Sequence, residues 1–105
     1  MYGTCVKVLI FMGKLLILTK YIFLIYGSDI YEKRRHIHVT YAYRGYKKAC
    51  KFWLEPMIRP DKSKTADFKE SELNEIEKLI AEHKSIILKQ LELFYSGKSV
   101  KAIRL

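Results

Sequence analysis

Only two of the 105 residues are cysteine, and Cys5 and Cys50 belong to no close-spaced pair. That excludes a disulfide-dense scaffold and a cysteine-based zinc or redox motif, and it suits a reducing, cytoplasmic compartment. A glycine-rich phosphate loop and a nucleophile elbow are also missing, so nucleotide-cradling and serine-hydrolase chemistry have no motif to stand on. Long apolar runs are absent too. Lys7, Lys14 and Lys20 interrupt the hydrophobic first 26 residues, so no run approaches the ~18–20 residues of a membrane span. No small-residue cleavage site follows an apolar core, so a signal peptide is not expected, nor a membrane partner. There is no internal repeat and no low-complexity segment.

The scarce charge is the acidic one. Lys and Arg number 20 against 11 Asp and Glu, a net charge of +9. The excess is uneven: residues 1–68 carry 13 cations against 5 anions, while residues 69–105 carry 7 against 6. A small positive surface has polyanions as its default partners, so RNA or DNA is the expected ligand class. Solubility of a small sheet is the competing explanation of the same lysines. Half the residues are hydrophobic, a globular composition with room for one modest core.

The branched and aromatic runs Leu15–Leu18 and Tyr21–Tyr26 read as two strands turning at Thr19-Lys20. Met12-Gly13 is an alternative start that would make residues 1–11 an upstream extension; taken as part of the fold, Cys5–Phe11 adds a fifth, edge strand. Gly27-Ser28-Asp29 carries turn chemistry and a polar loop follows to Arg35. From His36 the side chains alternate, and Arg44-Gly45 suits a tight turn before a return strand running from Tyr46 to Glu55. Pairing Tyr43 with Tyr46 sets Val39 opposite Cys50 and Ile37 opposite Phe52 on one apolar face. His36 then lies opposite Trp53, and His38 opposite Lys51, on the other. A shift of one residue mixes the faces, so this register is expected. Pro56 and Pro60 end the strand, and residues 57–68 form a basic connection. Leu73, Ile76, Ile80, Ile87, Leu91 and Phe94 then recur at helical spacing. The spacing predicts a helix over 69–97, capped by Asp67 with Glu70 or by Ser71, broken near His83–Ser85 and ended by Gly97. His83 falls in the apolar stripe and is expected in the core. The expected fold is therefore α+β: an antiparallel four-stranded sheet, five with the N-terminal segment, packed against one long or broken C-terminal helix, with residues 98–105 as a basic tail.

The candidate working face is His36, His38, Thr40, Ala49, Lys51 and Trp53, fed by Arg34 and Arg35. Arg34, Arg35 and Lys51 would hold phosphate and Trp53 would stack on a base. His36 and His38 would serve as acid and base in cleaving RNA, if the protein is an enzyme at all. Two histidines do not complete a metal site, which needs three or four ligands. Asp29, Glu32, Cys50 and Glu55 are all candidates for a third and spacing selects none, so no metal or cofactor is assigned. A second ridge of Leu79, Ile86 and Leu93 makes the helix wider than one sheet requires. It supports the alternative of a non-catalytic protein-interaction module or homodimer.

Three separated segments resemble one bacterial family. His36-Ile37-His38-Val39, then Lys51-Phe52-Trp53-Leu54-Glu55-Pro56, then Glu72-Leu73-Asn74-Glu75-Ile76-Glu77 follow the order of the domain-of-unknown-function 4160 proteins over roughly residues 12–97. The resemblance implies a small α+β protein, and such proteins are suspected components of toxin–antitoxin-type gene pairs. On that reading the chain is a nucleic-acid-associated, toxin-like component with a small antitoxin-like protein as partner. It departs from the family pattern before the His-x-His strand. Where Ser-Asn-Asp/Glu-His-Asn-Pro-Pro is usual, Gly27-Ser28-Asp29 is followed by Ile30-Tyr31-Glu32-Lys33-Arg34-Arg35, with neither the extra histidine nor the prolines. A three-histidine scheme has no third histidine here.

Overall fold

The computed structural model describes residues 12–42 and 49–105. The Cys5–Phe11 strand and the Arg44-Gly45 turn with its Tyr43–Tyr46 pair lie outside them. Strand β1 (Met12–Leu18) and strand β2 (Tyr21–Tyr26) form where branched and aromatic side chains crowd, joined through Thr19-Lys20 with Thr19 at φ +47°. Their ladder slips between Lys14 and Leu16. This bulge leaves Leu15 unmatched, and Leu15 and Leu16 are both fully buried despite being neighbours. Strand β3 (His36–Tyr41) pairs antiparallel with β2 and with β4 (Ala49–Trp53). The β3–β4 register is the one that burial demanded: His36 faces Trp53, Ile37 faces Phe52, His38 faces Lys51 and Val39 faces Cys50.

The sheet is larger than expected. Arg59–Pro60, read from sequence as part of a connection, is a short strand β5 on the free edge of β4, and Ile103–Arg104, read as tail, is a strand β6 running parallel to β1. The sheet is therefore mixed and six-stranded, in the order β5-β4-β3-β2-β1-β6. Two residues hold no alternation to read, so only tertiary contact reveals them. Pro60 is tolerated in β5 because the strand lies on the edge.

Two helices cover one face: α1 (Glu70–Glu82) and α2 (Lys84–Tyr95), separated at His83. The helices begin within a residue of the expected start, but the cap differs from expectation. Lys69 is the cap residue, and Glu72 reaches back to accept its backbone N–H at 3.0 Å, half of a capping box. Gly97, at φ +79°, ends α2 with Lys98 N–H donating to the Leu93 carbonyl and Gly97 N–H to that of Phe94, a Schellman closure that needs the left-handed residue. Ile76, Ile80, Ile87 and Leu91 are fully buried against Phe23, Ile25, Ile37, Val39 and Phe52. Gln90 secures the sheet's far end by donating to the carbonyls of Leu15 and Lys101. His83 is not a core residue; it is part-exposed at the helix junction, 4.0 Å from the Glu82 carboxylate. The Leu79/Ile86/Leu93 ridge is half-buried, and Leu79 and Ile86 pack on the core cluster. Among the described residues no helix is long and apolar enough to cross a membrane.

The sheet face opposite the helices is also covered. β2 is buried along nearly its whole length, with Ile22 opposite Thr40 and Leu24 opposite His38. Both of these β2 residues are buried although neither belongs to the core under the helices.

Candidate acid–histidine centre

The alternation of β3 sends Ile37, Val39 and Tyr41 to the helices and His36 and His38 to the opposite face. Immediately after β2 the chain makes a single 3-10 turn, Gly27–Tyr31. That turn folds back so that Asp29 Oδ2 accepts the N–H of Tyr26 at 2.8 Å. The carboxylate thereby lands on the two histidines. Its Oδ2 is 2.9 Å from His38 Nε2, and its Oδ1 is 3.1 Å from His36 Nε2. The two imidazole rings sit edge-on with centroids 5.3 Å apart, and the Tyr26 ring is 4.8 Å from that of His38.

Burial opposes charge on Asp29, yet the contacts from His36 and His38 and the Tyr26 N–H outweigh it and hold the carboxyl far below its usual range. Burial likewise opposes a charged His36, and here too the partners prevail: Asp29 and the Arg34 carbonyl raise its pKa above the ordinary imidazole value. Asp29 is thus an anion at neutral pH, enclosed with two imidazole rings.

Around this centre the predicted working face is present but is not a solvent face. His36 is 0% exposed, Thr40 is buried, and Lys51 is 5% exposed. The Lys51 ammonium is spent on Glu32, 2.9 and 3.2 Å from its two carboxylate oxygens, and it lies over the Trp53 ring at 4.3 Å. Arg34 lies over the same ring at 4.1 Å and donates Nε–H to the Glu55 carbonyl at 2.7 Å. Trp53 is half-buried and meets the His36 ring at 5.8 Å. Arg35 departs from the group altogether. It points to the helix side, 3.3 Å from Glu92 and 3.9 Å from Glu55, over the Tyr95 ring. The structure therefore brings together Arg34, His36, His38, Lys51 and Trp53 and removes Arg35.

This burial bears on two of the expected roles. A base stacking on Trp53 would have to displace cations already held there. His36 has no exposed surface, whereas His38, backed by Asp29, has solvent access, its side chain 15% exposed, so an acid–base role for the pair would need a route to His36. Of the four residues left open as a third partner, Asp29 is the one that converges. Cys50 faces the helices with its thiol pushed up to about 12 by burial, and the Glu55 carboxylate lies 3.9 Å from Arg35. Glu32, read from sequence only as a loop residue and open ligand, instead neutralises Lys51 and sits 3.4 Å from His36 Nδ1. The signal that the histidine face would be covered was available in Tyr21–Tyr26: a run apolar at every position marks a strand buried on both sides.

Among known families, the model of the Domain of unknown function (DUF4160) matches residues 21–92. The chain belongs to this family. The matched segment of this DUF4160 protein opens at β2 and closes within α2, so it contains Asp29, Glu32, both histidines, Lys51 and Trp53. β1 and β6 lie outside it. No curated protein and no solved structure matches the chain.

Proposed function

We propose that this DUF4160 protein binds nucleic acid and acts as the toxin-like member of a toxin–antitoxin-type pair. The observation that carries the reading is the placement of its exposed positive charge. Arg34, Arg59, Lys62 and Lys64 are all exposed and lie along the β4–β5 edge beside the histidine centre, and Lys33, next to Arg34 in the chain, is exposed as well. Arg59 pairs with Trp53, and the turn from Asp61 to Lys64 is tied to the Lys51 backbone by hydrogen bonds of 2.8 and 2.9 Å. A phosphodiester chain tracking this edge would pass the partly open His38. The phosphate-holding role moves from the buried Lys51 and the helix-facing Arg35 to these exposed residues, with Arg34 retained. The alternative of an interaction module has less to recommend it, since its ridge is partly absorbed by the core.

The test is binding of short single-stranded RNA and duplex DNA across a salt series. Each phosphate neutralised contributes about −0.7 (single strand) to −0.9 (duplex) to the slope of log K against log salt. The Arg59→Ala/Lys62→Ala/Lys64→Ala variant is expected to flatten that slope by about two units or more, while Lys51→Met leaves it alone. Binding that is absent, or that ignores both salt and the triple variant, would refute the reading. Growth arrest on expression that persists in folded His38→Ala protein would separate toxicity from the histidine.

A further inference from the structure

The nucleic-acid reading uses His38 alone and leaves the convergence of Asp29 and His36 on it unexplained. Asp29, His36 and His38 each contribute one donor atom to a group whose members all lie within 4.8 Å of one another. His36 is the informative member. Its Nδ1 is 3.0 Å from the backbone carbonyl of Arg34. A carbonyl only accepts, so Nδ1 carries the proton and donates it. In the neutral ring Nε2 then presents a lone pair, and a carboxylate oxygen lies 3.1 Å from that nitrogen, off the line of the lone pair. Two electron-rich atoms at this separation repel unless positive charge lies between them.

A second proton on the ring is one source of that charge, and the geometry serves it poorly. His36 Nε2 is sealed from solvent and has no hydrogen-bond partner. The contact with Asp29 is close but out of line for an N–H···O bond, so a second proton on the ring would be poorly directed. A cation bonded to both atoms is not held to that line. Bonds of about 2.0–2.2 Å at tetrahedral or right angles set neighbouring donors about 3–3.5 Å apart; Asp29 lies 3.1 Å from His36 Nε2 through Oδ1 and 2.9 Å from His38 Nε2 through Oδ2, and a shared ion would replace the latter hydrogen bond and draw in a set whose members now lie within 4.8 Å of one another. The supporting contacts are also those of a ligand set. His36 is oriented by a carbonyl on its other nitrogen and Asp29 by the Tyr26 N–H, the outer contacts that fix tautomer and aim.

We propose that Asp29, His36 and His38 bind one divalent transition-metal ion. Imidazole and carboxylate donors without thiolate suit zinc, iron(II), manganese or cobalt(II). Three protein ligands leave coordination positions free, on the side where His38 and Asp29 are 15% and 12% exposed. The site stands independently of nucleic-acid binding, since it uses none of the exposed cations.

Metal-stripped protein titrated with Zn²⁺ by calorimetry, and with Co²⁺ by visible absorption, tests this directly. One equivalent per chain is expected, with cobalt d–d bands and no near-ultraviolet thiolate band. Asp29→Asn and His38→Ala, checked for folding by circular dichroism, are expected to weaken binding at least tenfold, the smallest loss that even an outer-contact change usually brings. In the unaltered protein, bound Co²⁺ should shift the ring-proton resonances of His36 and His38 and leave those of His83 in place, a readout that needs no variant. Failure to bind one equivalent, a thiolate band, unshifted His36 and His38 rings, or full affinity in the folded variants would each overturn the site.

Discussion

Lys51 is the cation that sequence assigns to phosphate and structure assigns to Glu32, and the two assignments predict different energetics. Its side chain is 7% exposed and that of Glu32 is 46% exposed, with the closer N···O contact at 2.9 Å. Two unit charges about 3 Å apart attract by about 5 kcal/mol at an effective dielectric constant of 20. Desolvation of the ammonium and the open side of Glu32 cancel most of this. A coupling of about 1–2 kcal/mol remains, above the usual surface pair. Lys51→Met replaces the ammonium with an apolar group of similar length and is expected to cost no more than about 1 kcal/mol. Glu32→Gln strands a buried ammonium beside a neutral amide and is expected to cost about 2 kcal/mol in the Lys51 protein, but about 0.5 kcal/mol when Lys51 is already Met. Urea unfolding followed by fluorescence of Trp53, the only tryptophan, reads this as a midpoint drop of about 1–2 M for Glu32→Gln alone, since urea slopes at this size are about 1–2 kcal/mol per molar. Equal costs for Glu32→Gln in both backgrounds, within about 0.3 kcal/mol, would refute the pairing.

Other consequences are equally open to measurement. The Cys50 thiol, pushed up to about 12 by burial, should be inert to a disulfide reagent at pH 8 in folded Cys5→Ser protein and react at once on unfolding, because the thiolate is the nucleophile. Glu72 is held below the ordinary carboxylate value by the Tyr41 hydroxyl and then the Lys69 N–H. A depressed folded value gives stability that is complete above the unfolded carboxylate pKa and is lost as pH falls through the folded one. The stability gap between the native protein and Tyr41→Phe should therefore close on acidification from pH 7 toward pH 3. A Cβ at Gly13 would stand 2.8 Å from Phe94 Cδ1, so Gly13→Ala is expected to lower stability by about 1–3 kcal/mol in urea unfolding, as overpacking does.

How much of the molecule was legible beforehand depends on the length over which a pattern runs. The β3–β4 register followed from alternation alone, because one residue of slip would have sent Ile37 and Val39 away from the core. The helix stripe was equally legible, since Ile76, Ile80, Ile87 and Leu91 repeat over several turns, and the break at His83 lay where it was expected. β5 and β6 were not legible: each holds two residues, and its existence depends on an edge made by another strand. The cap of α1 was not legible although its start was, because several residues near it had capping side chains and the one used, Glu72, acts backwards from inside the helix.

For the candidate centre the division is sharper. Sequence by itself determined that His36 and His38 share one face of a strand, with Lys51 and Trp53 across from them, because side chains alternate and the buried face fixes the register. Only the tertiary structure decided that this face is covered, that Lys51 belongs to Glu32, and that Asp29 joins the histidines. Asp29 lies in a turn, where no periodicity relates its side chain to a strand seven positions on. Its place is set by the Tyr26 N–H it accepts and by the direction in which that turn returns to the sheet.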